Sequence, residues 1–170
     1  RGHSGPVDDV VFSADGRRCV TASIDHRATV WNLETGEPEH VLQHPDWVYA
    51  VSLDADGGAP ATSCRDQRIR IWDVASGTLR RELLIPHATA DDVPHSWPVA
   101  YSPDGQQLAA GGRDGTIYLL DAHTGALLQE LHGHTARVRG LAFHPREPIL
   151  ASTSDDITVA TAQIPALSFA

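Results

Sequence analysis

Cysteine and long apolar runs are scarce in this 170-residue sequence, and each shortage narrows the class of protein. The only cysteines, Cys19 and Cys64, lack CxxC spacing and lie in strand-like stretches. We therefore expect reduced core thiols and a cytoplasmic protein rather than a disulfide scaffold. No apolar run approaches the roughly 18 residues that a membrane-spanning helix needs, so none is predicted.

Positive charge is also in short supply. Lys and Arg together number 13 against 22 Asp and Glu, which gives a formal net charge of −9. Nucleic acids and anionic membrane surfaces attract proteins through cationic patches, so neither is an expected partner. With 41% hydrophobic and 21% charged residues, the chain still has enough apolar residues to fold around a core.

Signatures of common enzymes are missing as well. The sequence contains no GxxxxGK[ST] phosphate loop, no HExxH zinc motif and no GxSxG nucleophile elbow. Residues 54–57, Asp-Ala-Asp-Gly, begin like a calcium loop but lack its later acidic positions, so a hairpin turn is predicted there. We expect no catalytic residue, no metal site and no cofactor.

What the chain does contain is one pattern repeated about every 40 residues. A His precedes an Asp by 22 residues in three copies, and in two of them a Trp follows six residues later. A further copy keeps Asp114 but has Leu120 in the Trp position. This period indicates stacked units, because one unit cannot bury its own apolar face. The His–Asp pairs are His3–Asp25, His44–Asp66 and His134–Asp156, and the Trp residues are Trp31 and Trp72.

Each unit has the pattern of four short antiparallel strands. In the first unit, turn sequences at 14–16, 25–27 and 34–38 separate the apolar strand sequences. No segment shows sustained helical periodicity. The units fall at about residues 2–42, 43–83, 84–131 and 132–170, and Pro165 suits a central strand poorly, so we expect the last unit to be incomplete.

Motifs within these units resemble those of the WD40-repeat family over nearly the whole chain. The resemblance rests on Gly-His at 2–3 and 133–134, on the turns SADG and SPDG, and on the strand sequences TVWN, IRIWD and IYLLD. It implies an all-β fold, a β-propeller of four-stranded antiparallel blades around a central channel. Four blades are fewer than such propellers usually have, so we expect a partial, open propeller that needs further blades in cis or a second copy.

The resemblance also implies a structural role for the repeated polar residues. In the family a His, a hydroxyl of the second strand, the turn Asp and the Trp form a hydrogen-bonded relay, which satisfies buried polar groups. We expect a complete relay in blades one and two and partial relays in blades three and four. The residues implied are His3, Asp25, Trp31, His44, Asp66, Trp72, Asp114, His134 and Asp156, with Thr21 or Ser23, Thr62 or Ser63, and Ser152 or Ser154 as hydroxyls.

In the family, docking usually takes place on the face that carries the segments leading into the first strands and the turns between second and third strands. Exposed Arg, Trp and Tyr dominate interface energetics, and six such residues fall there. Because Arg65 and Arg113 precede the turn Asp of adjacent blades, the predicted partner is a protein or peptide with acidic or phosphorylated side chains. The candidate partner-binding residues are Trp47, Tyr49, Arg65, Arg113, Arg137 and Arg139.

Other interpretations of the same residues stay open. The Arg residues can pair with neighbouring acids instead, and Trp47 can serve packing alone. The insertion at 85–97 is favoured as a loop that contacts a partner over a metal site, although it is rich in His and Asp. Its candidate metal ligands are His87, Asp91, Asp92 and His95.

The leading function is a non-catalytic scaffold for protein–protein interaction. The alternative is the sensor or substrate-docking portion of a larger signalling kinase, protease or NTPase, whose catalytic domain lies outside this chain. An enzyme working from the insertion ranks last.

Overall fold

A computed structural model of the chain describes residues 2–85 and 97–164, which form fifteen strands and no helix. Three sheets have four antiparallel strands and the last has three, and neighbours in each sheet are consecutive in sequence. This is a β-propeller of four blades. The predicted all-β propeller with an incomplete last blade is therefore confirmed. Within the described ranges there is no helix long and apolar enough to cross a membrane.

The strands are numbered in chain order, four to a blade and three in the last. Blade one contains β1 (Val7–Phe12), β2 (Arg18–Ser23), β3 (Arg27–Asn32) and β4 (Pro38–Gln43), and blade two contains β5 (Val48–Leu53), β6 (Pro60–Cys64), β7 (Arg68–Asp73) and β8 (Thr78–Leu84). Blade three contains β9 (Val99–Tyr101), β10 (Gln107–Gly111), β11 (Ile117–Asp121) and β12 (Leu127–Leu131), and blade four contains β13 (Val138–Phe143), β14 (Ile149–Ser154) and β15 (Val159–Gln163).

The turn between first and second strands is alike in three blades. Gly16, Gly57 and Gly105 have φ angles of 67°, 70° and 69°, where a side chain is disfavoured. Their amides donate to the carbonyls of Ser13, Asp54 and Ser102, at 2.9, 3.0 and 2.9 Å. Residues 54–57 thus form one of these hairpin turns.

Apolar side chains of neighbouring blades pack face to face. The first strands β1, β5, β9 and β13 lie side by side, so the blades are arranged in chain order around a common centre. Three clusters fill the spaces between successive blades. They include Val30, Leu42, Val48 and Trp72 between blades one and two, Ile69, Ile85, Leu108 and Tyr118 between two and three, and Leu119, Val138, Leu150 and Ile164 between three and four.

Both ends of this arc present apolar residues to solvent. On blade one, Val7 and Val10 are 50% and 53% exposed, whereas their counterparts in blade two, Val48 and Val51, are 0% and 5% exposed. The difference arises because blade one covers blade two, and no described residue covers blade one. At the other end, Val159 on β15 is 73% exposed.

Candidate functional site

In blade one, hydrogen bonds connect the side chains of the repeated His, Asp, Thr and Trp positions, which are His3, Asp25, Thr21 and Trp31. His3 Nε2 lies 2.7 Å from Thr21 Oγ1, and Trp31 Nε1 donates to the same oxygen at 2.8 Å. His3 Nδ1 lies 3.0 Å from Asp25 Oδ2, which also accepts the Ser4 amide at 2.8 Å. Burial raises the pKa of Asp25, but the hydrogen bonds from Ser4 and His3 outweigh burial and lower the pKa to about 2. The ionised carboxylate therefore ties the start of the blade to the turn between β2 and β3.

Blade four has a similar arrangement without the indole. His134 Nε2 lies 2.8 Å from Ser152 Oγ, and its Nδ1 lies 2.9 Å from Asp156 Oδ2. Thr158 Oγ1 donates to Asp156 Oδ1 at 2.5 Å, and this bond is the main reason that the pKa of Asp156 lies well below its usual range. Ala162 occupies the Trp position, so Ser152 receives no indole N–H.

Blade two keeps part of the pattern. His44 Nε2 lies 2.8 Å from Thr62 Oγ1, to which Trp72 Nε1 donates at 3.0 Å. His44 Nδ1, however, lies 2.9 Å from the Leu42 carbonyl, which can only accept, so Nδ1 carries a proton. Burial lowers the pKa of His44 to about 4, and the imidazole is therefore neutral near pH 7.

The turn carboxylate of blade two has a different partner from the one expected. Asp66 accepts Arg70 Nη1 and Nη2 at 3.1 and 2.5 Å, and Nη2 also lies 2.7 Å from Glu82 Oε2. Arg70 is only 5% exposed, and a buried guanidinium requires carboxylate partners. An ion pair therefore stands where a contact between Asp66 and His44 was expected.

Arg70 was not identified from the sequence. The available signal is its position, two residues before the third-strand Trp, where blade one has Thr29 and blade three has Tyr118. The alternation of residues in β7 is compatible with a solvated Arg side chain. Arg70 can be buried because Glu82, on β8, supplies a carboxylate to its guanidinium.

In blade three, the turn Asp accepts hydrogen bonds from a residue of its own hairpin. Asp114 accepts the amide and the hydroxyl of Thr116 at 3.0 and 2.9 Å. Leu120 is buried in the Trp position and packs in the core. In this blade the turn Asp caps its own hairpin.

On the predicted docking face, the structure brings Trp47 and Arg65 together. The Arg65 amide donates to the Trp47 carbonyl at 2.8 Å, and the guanidinium carbon lies 4.7 Å from the centre of the Trp47 ring. Asp46 Oδ1 is 3.8 Å from Arg65 Nη1, beyond hydrogen-bond distance. Tyr49 packs edge-on against Trp47 but is only 5% exposed, so it supports the pair from below the surface.

The remaining Arg candidates are spread along the same face. Arg113 is exposed on the β10–β11 turn. Arg139 is exposed, and its Nε donates to Asp155 Oδ1 at 2.6 Å, so it follows the alternative of pairing with a neighbouring acid. Arg137 is half-buried, and its carbonyl accepts the Asp155 amide at 2.9 Å.

Two sequence predictions lie outside the described residues. They are the role of Pro165 and the metal or partner role of the insertion, whose His87, Asp91, Asp92 and His95 fall within 86–96. Across 2–85 and 97–164, no group of three or more His, Cys, Asp or Glu side chains is placed to hold a metal ion.

Known proteins share this repeat. The family described as "WD domain, G-beta repeat" (WD40) matches residues 1–32, 36–73, 97–121 and 125–160. Nuclear distribution protein nudF of Emericella nidulans is 31% identical over 176 residues, covering 93% of this chain and 39% of nudF. WD repeat-containing protein VIP3 of Arabidopsis thaliana is 34% identical over 156 residues, covering 86% of this chain and 49% of VIP3.

A solved structure shares the fold. The structure of U3-55K superposes with a TM-score of 0.86 at 21% identity, covering 97% of this chain and 51% of that one. The chain thus spans 39% to 51% of the length of these similar proteins. From its four repeat matches and its blade architecture, the chain belongs to the WD40-repeat family.

Proposed function

We propose that this chain is a non-catalytic scaffold that binds an acidic or phosphorylated peptide segment on the face carrying Trp47 and Arg65. The observation that carries the proposal is the stacking of the Arg65 guanidinium on Trp47 at 4.7 Å. Stacking restricts the Arg side chain before binding, which reduces the entropy lost when a partner docks. The planar guanidinium keeps N–H groups for bidentate contact with a carboxylate or phosphate.

Among the residues that the structure describes, competition for the Arg65 guanidinium is weak. The Asp46 carboxylate stands 3.8 Å away, and both side chains are about one third exposed. Solvent screens such a pair, so an incoming carboxylate or phosphate can replace it at little cost. Arg113 lies one blade further on the corresponding turn and is exposed, which gives the partner a second cationic contact.

A cytoplasmic location is part of the proposal. Cys19 and Cys64 are both free thiols, as is usual for proteins of a reducing compartment.

The second candidate is a docking portion of a larger multidomain signalling protein with a kinase, protease or NTPase domain elsewhere. Two observations favour it: the chain spans about half or less of its relatives, and its end faces are apolar and exposed. Apolar sheet faces of this kind require cover, either from further blades in cis or from a second copy. Scaffold and docking portion would share the peptide-binding face.

Peptide binding tests the proposal. The whole chain is titrated by fluorescence anisotropy with a panel of acidic and phosphorylated peptides, each paired with a neutral version. At least one charged peptide should bind, and Arg65→Glu/Arg113→Glu should weaken it by about 100-fold, since each charge-assisted hydrogen bond contributes about 1.5–3 kcal/mol. Trp47→Ala should weaken it by about tenfold.

The matched control is Arg17→Glu, which reverses an exposed Arg on the β1–β2 turn at the opposite edge of the propeller. It should leave the affinity unchanged. If the double reversal folds normally and still binds every peptide that the original chain binds, the proposal is wrong.

A further inference from the structure

A second charged site lies between blades two and three, on the edge opposite to Trp47. A cleft of about 220 Å³ opens there beside strand β8 and the β5–β6, β9–β10 and β11–β12 turns. Its floor includes the buried side chains of Ile71 and Tyr101. Arg80, Arg81 and His123 also line it, so three nitrogen-rich side chains from two blades meet in one cleft.

These three residues depart from the repeat. Strand register places Arg80 and Arg81 at positions that carry other residues in blades one and three. His123 likewise differs from its counterparts in the third-to-fourth-strand turns. Blade folding therefore does not require cations at these positions, yet all three departures converge on the same cleft. The counterparts are Glu39 and Leu128 for Arg80, His40 and Gln129 for Arg81, and Glu34 and Ala75 for His123.

Both guanidinium groups have a contact with the protein, and that of Arg80 is the closer. Arg80 Nε and Nη2 donate to Asp73 Oδ2 at 3.0 and 2.5 Å, which uses two of the five N–H groups of the guanidinium. Arg81 Nη1 lies 3.4 Å from the Thr124 carbonyl, so this side chain reaches from blade two to the turn of blade three. The contacts with Asp73 restrict Arg80 before a ligand binds, which reduces the entropy lost on binding.

The remaining polar groups of the cleft are the Tyr101 hydroxyl, the Asp54 carboxylate and the His123 imidazole. Burial, and then the nearby Asp54 carboxylate, raise the pKa of Tyr101 above its usual range, so the hydroxyl keeps its proton. Asp54 also lines the cleft, and its Oδ1 accepts the Ala59 amide at 2.9 Å within its own turn, but its negative charge still opposes an anion. The imidazole of His123 offers an N–H donor whether neutral or protonated.

We propose that this cleft binds a phosphate group through Arg80, Arg81 and His123. The group is either free inorganic phosphate or a phosphorylated side chain of a partner protein, because both present the same oxygens to the guanidinium groups. The site lies on the opposite edge from Trp47 and Arg65 and does not depend on the peptide face.

Titration calorimetry of the whole chain, in a buffer without phosphate and at constant ionic strength, tests this site. The probes are inorganic phosphate and a phosphoserine peptide, with the unphosphorylated peptide for comparison. Saturable binding of phosphate assigns the free anion, and binding of the phosphopeptide at least tenfold tighter assigns a partner side chain. Either result supports the site if Arg81→Glu weakens binding by at least about tenfold.

Arg17→Glu serves as the control, because Arg17 is exposed and lies outside the cleft, and it should keep the affinity. His123→Gln provides a second, milder variant and should weaken binding several-fold. The proposal is overturned if neither probe shows saturable binding, or if folded Arg81→Glu binds as the original chain does.

Discussion

Thr62→Val and Thr21→Val remove the same hydroxyl from two blades that differ in burial. Thr62 Oγ1 lies 3.0 Å from Trp72 Nε1 and 2.8 Å from His44 Nε2, and all three residues are buried beneath blade one. Thr21 Oγ1 makes the same two kinds of contact, at 2.8 Å to Trp31 and 2.7 Å to His3. Those residues lie on the outward face of blade one and are only partly buried.

Burial sets the expected difference in free energy. Each buried polar group left without a partner costs about 1–3 kcal/mol, and Thr62→Val leaves two of them, the indole N–H and an imidazole nitrogen. We therefore expect Thr62→Val to lower the free energy of unfolding by about 2–6 kcal/mol. Water can reach the partners of Thr21, so Thr21→Val should cost about 1 kcal/mol or less.

Urea unfolding of the two variants, followed by circular dichroism, measures both losses. The slope of the unfolding free energy against urea concentration should match that of the original chain. Shifts in the unfolding midpoint then report changes in stability alone. Equal losses in the two variants would refute the argument from burial.

Asp66→Ala should lower the free energy of unfolding by about 2–3 kcal/mol, because it leaves the buried Arg70 guanidinium with one carboxylate. Asp114→Ala should lower it by about 1 kcal/mol, because the partners of Asp114 lie within one hairpin. Equal losses of stability in urea melts of the two variants would contradict this expectation. Stability should decline as the pH falls from about 6.5 to about 4, since the pKa of His44 is lowered to about 4 and only the unfolded chain binds the proton in this window. His44→Gln should flatten that slope in melts at pH 7, 5.5 and 4.5. The exposed end faces should make the isolated chain self-associate, and Val10→Asp should reduce the mass seen by light scattering. A stable monomer of the original chain with a closed ring would contradict that expectation.

The fold could be predicted because similar sequence motifs recur at the same positions in successive units. Turn sequences such as 13–16 and 102–105 recur at the same place in a unit, and the positive φ of Gly16 and Gly105 shows why Gly is needed there. The prediction that the last blade is incomplete came from the loss of its Trp and from Pro165, a residue type that suits a central strand poorly.

Partners of charged side chains were harder to predict. The ion pair of Arg70 depends on Glu82, which comes from the next strand, and the position of Arg70 two residues before Trp72 does not by itself show that its side chain is buried. Trp47 and Arg65 were identified by residue type, but their stacking depends on the pairing of β5 with β6. The cleft beside Arg81 requires the relative placement of two blades, which sequence periodicity does not supply.

Hydrogen–deuterium exchange of the whole chain, with and without the tightest peptide from the binding panel, tests the central claim most directly. A scaffold that docks its partner through Trp47 and Arg65 should show slower exchange around residues 47–49, 65–67 and 113–116. The turns at 14–17 and 54–57, on the opposite edge, should exchange as before. Protection confined to those opposite turns, or no protection while the peptide is bound, would contradict the account.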